Sequence, residues 1–154
     1  MNKFSARSKQ RLRGVKAPLV KVANRAIQLS AVDFGITQGL RTLEQQRRYV
    51  QEGRSKTMRS RHLTGHAVDV VAHHEGVYTY EPFELYVDIA EGFRRAAIEL
   101  DVEVMWGASW LRPLNEYLSA QSAMDDYVKA RRAENRRPFM DGPHFQLTWR
   151  SHPE

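Results

Sequence analysis

Between Ala17 and Ser30, the apolar residues Leu19, Val22, Ala23, Ala26 and Ile27 recur at helical spacing, and Pro18 suits a first turn. The segment reads as an amphipathic core helix. From Val32 to Leu40 the period shortens: Val32, Phe34 and Ile36 alternate with small or polar residues, as in a half-buried strand. Thr42 and Gln45 have the spacing of a capping box, opening a helix that runs to about Glu52 and stops at Gly53, and 54–61 is a polar loop. His66 to Ala72 reads as a central strand, with Val68, Val70 and Val71 interrupted by the carboxylate of Asp69. After a turn around Gly76, Pro82 to Leu100 carries Phe83, Tyr86, Val87, Ala90, Phe93, Ala97 and Leu100 at helical intervals. Val102 to Trp106 and His144 to Trp149 read as further strands, and Leu114 to Glu134 as a less regular helix. RRAENRR, 131–137, reads most simply as a solvated helix end or loop, and secondarily as an anion-binding patch.

These elements predict one α+β domain spanning 1–154, with a small, mainly antiparallel sheet, helices packed on one side and an open face left for a site. At 154 residues the chain buries a core without staples. It contains no cysteine, which excludes disulfides, a thiol nucleophile and thiolate metal ligands. Any metal must be held by nitrogen and oxygen. A net charge of +6 favours an anionic partner, whether nucleic acid, membrane surface or acidic cell-wall polymer. No nucleic-acid motif accompanies the charge, and aromatic residues are sparse in the basic runs, so no nucleic-acid partner is expected. Residues 1–14 are read as a flexible basic arm. No apolar run has the length of a signal peptide or a membrane span, so a chain made in the cytoplasm, without stable membrane insertion, is expected.

The densest chemistry lies in SRHLTGHAVDVV, 60–71. In a strand, Asp69 shares its face with Ala67 and Val71, while His66, Val68 and Val70 face the other way, so His66 is a poor partner for Asp69. His62 precedes the strand across Gly65, whose backbone freedom lets the loop fold back over the Asp69 face. His73 has the right parity, but four strand residues put it roughly 13 Å away. His74 and His152 lie in polar surroundings. His144 follows the turn Asp141-Gly142-Pro143 and leads into an apolar strand, placing a carboxylate three residues upstream of a rigidly delivered imidazole.

Three ordered motifs resemble the zinc peptidases that include D-alanyl-D-alanine carboxypeptidases, vancomycin-resistance dipeptidases and the L-alanyl-D-glutamate endopeptidases of tailed phages. S-x-H-x-x-G-x-A-x-D is present as Ser60, His62, Gly65, Ala67 and Asp69, and D/E-x-x-H as Asp141 and His144. G-x-R-[ST]-x-x-x-Q is present as Gly39, Arg41, Thr42 and Gln46. The phage endopeptidases look most similar, through LSAVDFGITQGLRTLEQQ and SRHLTGHAVD. The resemblance implies zinc held by His62, Asp69 and His144 on the open face, with Asp141 as proton carrier. It implies Arg41 as an oxyanion or carboxylate partner, and substrate contacts from Ser60, Arg41 and Gln46. One departure is that WGASW, 106–110, has Ser109 where phage relatives often have aspartate, and about thirty residues follow before Asp141, making 111–138 a helical insertion.

The implied activity is hydrolysis of the L-alanyl-D-glutamate bond of peptidoglycan by a monomeric endolysin. It would wait in the host cytoplasm for a separate holin-type protein to open the membrane. Removal of terminal D-alanine by the same centre is the alternative, and a non-catalytic basic cell-wall module or a metal-free muramidase with paired carboxylates are the readings from other classes.

Overall fold

The computed structural model describes residues 1–154. In chain order the elements are α1 (Ala6–Arg11), α2 (Ala17–Leu29), β1 (Asp33–Gln38), α3 (Leu43–Gln51), β2 (Ala67–His74), β3 (Val77–Thr79), α4 (Glu84–Leu100), β4 (Val104–Trp106), α5 (Ala120–Ala133) and β5 (His144–Leu147). Single 3-10 turns lie at Arg61–Thr64 and Leu114–Glu116. The strands form one antiparallel sheet in the order β1-β2-β5-β4, with β3 paired to β2 as a hairpin. This is the small α+β domain the periodicities predict.

Strand parity sorts the central strand. Val68, Val70 and Ala72 of β2 are fully buried, as are Phe145 and Leu147 of β5, and they join one cluster of 29 buried apolar residues. Helices α2 and α4 supply Leu19, Val22, Ala26, Ile89 and Phe93 to the same cluster, and the Phe93 ring stacks on Phe145 at 3.8 Å between centroids. Residues of opposite parity, Asp69 on β2 and His144 and Gln146 on β5, are turned to the other face.

Three expectations change. Residues 1–14 are not a solvated arm: α1 is capped by the Ser5 hydroxyl, and Phe4, Leu12 and Val15 are buried. The helix covers the outer edge of β1. Ile36 N–H donates to Ser8 Oγ at 3.0 Å, and Arg11 Nη1 donates to Ile36 O at 3.0 Å. An edge strand's outward backbone groups thus gain partners, which the charge of the segment concealed. The helix expected over 114–134 is broken between the Leu114–Glu116 turn and α5, because Ser119 and Ser122 form a new capping box that starts α5. Strand β3 lies in the stretch read as a turn; it is three residues long and mostly exposed, so it has no periodicity to detect.

Candidate metal centre

Asp69 sits opposite Gln38 of β1 on one side and opposite His144 of β5 on the other. The sheet therefore lays Gln38, Asp69 and His144 in a row across the open face. His62 enters from the 3-10 turn. Ser60 Oγ accepts from His62 N–H at 3.2 Å to start that turn, and Gly65, at φ 76°, ends it. A side chain at Gly65 would overlap the carbonyl of Gly14, so only glycine closes this return toward β2.

His144 is delivered by a turn whose four carbonyls are all engaged. Asp141 O accepts from His144 N–H at 3.0 Å, Gly142 O from Trp106 Nε1–H at 2.7 Å, Pro143 O from Val70 N–H at 3.0 Å and His144 O from Gly107 N–H at 2.8 Å. Asp141 N–H donates to Gly107 O at 2.7 Å. The backbone of Gly107 runs so close that a Cβ there would collide with the Asp141 carbonyl.

His62 Nε2 lies 3.2 Å from Asp69 Oδ2, and His144 Nδ1 lies 3.0 Å from Asp69 Oδ1. One ligand atom from each of the three residues falls within 4.8 Å of the others. Tetrahedral ligands on zinc, each about 2.0–2.1 Å from the ion, stand roughly 3.3 Å apart. The outer nitrogens fix the tautomers. His62 Nδ1 donates to Gly39 O at 2.9 Å, and His144 Nε2 donates to Gln146 Oε1 at 2.8 Å. In the neutral imidazoles, the lone pairs of His62 Nε2 and His144 Nδ1 then point at the carboxylate oxygens. His62 Nε2 is buried and makes no hydrogen bond. Lone pairs facing a carboxylate call for a cation between them, a proton when no metal is bound, and this nitrogen and oxygen donor set fits a divalent metal.

Burial works against the Asp69 carboxylate, yet the hydrogen bond of His144 and the charges of His62 and His144 hold its pKa well below the usual carboxylate range. Burial pulls the His144 pKa down, but the hydrogen bond and charge of Asp69 outweigh it and leave the pKa raised. Asp141 behaves differently. Burial pushes its carboxyl up, with Asp69 adding to the rise and His144, His62 and Arg41 opposing it. Its carboxylate makes no hydrogen bond or ion pair, and the bond that closes the turn to His144 is accepted by its main-chain oxygen. Its side chain is therefore not spent on capping the turn.

Arg41 is 8 % exposed, with Nη2 3.8 Å from Asp69 Oδ2. Gln38 Oε1 accepts from its Nε at 3.1 Å and from its Nη2 at 2.7 Å. Gln46 Oε1 and Ser60 Oγ accept from its Nη1 at 2.7 and 3.4 Å. Burial lowers the Arg41 pKa, and the charge of Asp69 opposes that fall. Gln46 was expected among substrate contacts, but it is fully buried, with its amide nitrogen donating to Ser55 Oγ and Thr57 O. It stands behind Arg41, holding the guanidinium.

The other histidines stay apart. His66 is buried on the opposite parity, bonded to Thr64 Oγ1; His73 pairs with Asp33, and His74 faces Glu75. Sequence reasoning missed Gln38 and Gln146, whereas Trp110 was legible as a core or cleft-lining aromatic. Gln146 was within reach, since it shares strand parity with His144. Gln38 depends on a bulge between Ile36 and Gln38. The Trp110 ring packs 5.6 Å from that of His144, a contact set by where β4 ends. Ser109 is completely buried with no partner for its hydroxyl.

The profile of the family described as phage L-alanyl-D-glutamate peptidase matches residues 1–148. The chain belongs to that family. It is 32% identical over 148 residues to the L-alanyl-D-glutamate peptidase of Escherichia phage T5, covering 94% of this chain and 97% of that protein. It also resembles the crystal structure of the Serratia marcescens L-Ala D-Glu endopeptidase ChiX. The TM-score is 0.75 at 42% identity, covering all of this chain and 95% of the other. Membership of this family agrees with a peptidase centre at the site, and no helix is long and apolar enough to cross a membrane.

Proposed function

We propose that this chain is a zinc endopeptidase that hydrolyses the L-alanyl-D-glutamate bond of peptidoglycan stem peptides during phage lysis. The observation that carries the proposal is the convergence of two imidazoles, each with its outer nitrogen tied to a carbonyl oxygen, on one carboxylate, beside the unengaged carboxyl of Asp141. His62, Asp69 and His144 would hold the ion. When bound, zinc would bring the pKa of a water toward ~7 and polarise the scissile carbonyl.

Asp141 takes a proton from the attacking water as its oxygen adds to the carbonyl carbon. It passes that proton to the departing amine as the C–N bond breaks. Its raised pKa suits both halves of that exchange. Arg41, immobilised by Gln38, Gln46 and Ser60, stabilises the negative charge that develops on the carbonyl oxygen. Preorganisation matters here because a guanidinium already fixed in place has little left to reorganise during the reaction. The 154-residue chain works as one peptidase domain in which 111–138 is a helical insertion. It acts as a monomer and remains in the host cytoplasm until a separate holin-type protein admits it to the wall.

Mass spectrometry of muropeptides tests this directly. Digestion should release stem peptides beginning with D-glutamate, stop on chelation and return when zinc is restored. Free D-alanine as the sole product would replace the endopeptidase with a carboxypeptidase.

A further inference from the structure

Beyond β5, the row Gln38, Asp69 and His144 continues to Trp110, just after β4, and Trp110 opens onto a cavity of about 400 Å³. Its walls include Leu111, Tyr127 and Phe139, with Arg131 and Arg136 among them. Phe139 stacks near Trp110, at 6.3 Å between centroids, and stands two residues before Asp141. The cavity is therefore built by segment 111–138 with its flanking residues, on the side of the centre from which Asp141 approaches.

The two arginines differ. Arg136 is paired with Glu134 at 3.5 Å. Arg131 has no carboxylate partner: its Nε and Nη2 donate to Arg137 O at 3.3 and 3.1 Å, and Nη1 donates to nothing. A guanidinium carries five N–H donors, so most of its fork is open to an anion. Strands about 4.8 Å apart put the β1 and β4 ends of the row roughly 14 Å from each other, the span of about four extended residues. An extended peptide crossing the face from Arg41 reaches this cavity.

Resting on the peptidase reading above, we propose that this cavity is a subsite for the leaving half of the stem peptide. Arg131 binds a free carboxylate there, beyond the scissile bond, and Trp110 and Phe139 cover the adjoining aliphatic chain. Arg131 is then a specificity residue, and 111–138 exists to supply it.

The test uses zinc-loaded protein and two synthetic stem peptides that differ only in whether the carboxylate on the leaving half is free or amidated. Wild type should show a KM about tenfold lower for the free acid, the worth of one charge-assisted bond at a partly exposed site. Arg131→Gln should lose that preference by raising KM for the acid, with kcat little changed, and Arg131→Lys should recover part of it. Phe139→Ala should raise KM for both peptides alike. If Arg131→Gln loosens α5, as thermal melting would reveal, the wild-type comparison of the two peptides still decides. Equal KM values in the wild type, or undiminished preference in a folded Arg131→Gln, overturn the subsite while leaving the peptidase intact. Cleavage of neither peptide by wild type overturns the peptidase reading and the subsite with it.

Discussion

Asp69 and His144 are direct cross-strand partners, 75 positions apart in sequence, and the imidazole Nδ1 lies 3.0 Å from the carboxylate. The register of β2 against β5 thus sets the distance between two candidate ligands. Asp69→Asn keeps the shape and removes the charge that both imidazoles face. Zinc stoichiometry, measured by metal analysis after dialysis, should fall from one toward zero while the circular dichroism spectrum stays native. Full zinc retention would remove Asp69 from the centre.

The Gln146 amide fixes which nitrogen of His144 faces the site. Gln146→Ala frees the ring to turn and to change tautomer. Zinc affinity should fall by about 10–100-fold, the range for losing a group that orients a ligand. Competition titration with a chromophoric chelator reads this, and unchanged affinity would show that packing against Trp110 alone orients the ring.

Asp141 separates metal binding from chemistry. Asp141→Asn should lower kcat by about 10²–10⁴-fold, the usual contribution of a positioned acid or base, with zinc content unaltered. Because burial raises the carboxyl's pKa, the acid limb of the wild-type kcat/KM profile should lie above the ordinary aspartate value of 3.8 and be absent in the variant. A limb common to both proteins would point to ligand protonation instead.

Without metal, the Asp69–His144 pair makes stability depend on pH in a defined direction. The folded pKa of His144 lies above 6.5, so its contribution is complete below 6.5 and is lost as pH rises through the folded value. The folded pKa of Asp69 lies below 3.8, so its contribution is present above 3.8 and is lost as pH falls through the folded value. The gap in melting temperature between chelated wild type and chelated Asp69→Asn should therefore be widest between about pH 4 and 6.5 and narrow on the alkaline side. The increment from saturating zinc should instead grow with pH, because the metal takes neutral imidazole. Calorimetry across that range measures both, and parallel slopes would contradict the ligand assignment.

Gly107 holds the Asp141–His144 turn by close backbone approach. Gly107→Ala forces the Asp141 carbonyl away and should cost about 1–3 kcal/mol through overpacking. Activity should fall further than that loss of stability explains, because Asp141 and His144 both move. A variant with native melting and native kcat would show that the turn has slack.

The amino-acid sequence by itself determined the main helices, the β1, β2, β4 and β5 strands and the faces of the central strand. Alternation of Val68, Asp69 and Val70 is a local property that any antiparallel pairing preserves. The same parity excluded His66 and directed Asp69 to the open face. Chain order and spacing carried His62, Asp141 and His144 as candidates, and the resemblance to a known family added Arg41. Tertiary structure decided what contacts across the sheet decide: that Gln38, Asp69 and His144 stand in one row, that Gln46 lies behind Arg41 instead of facing substrate, and that Trp110 joins His144 to a cavity. It also turned a basic segment, legible only as charge, into the cover of an open strand edge, since the need for Ser8 and Arg11 arises at the outward backbone groups of Ile36. Periodicity reports which face of an element is buried; which element lies against that face depends on register and packing between distant segments, and no local pattern contains it.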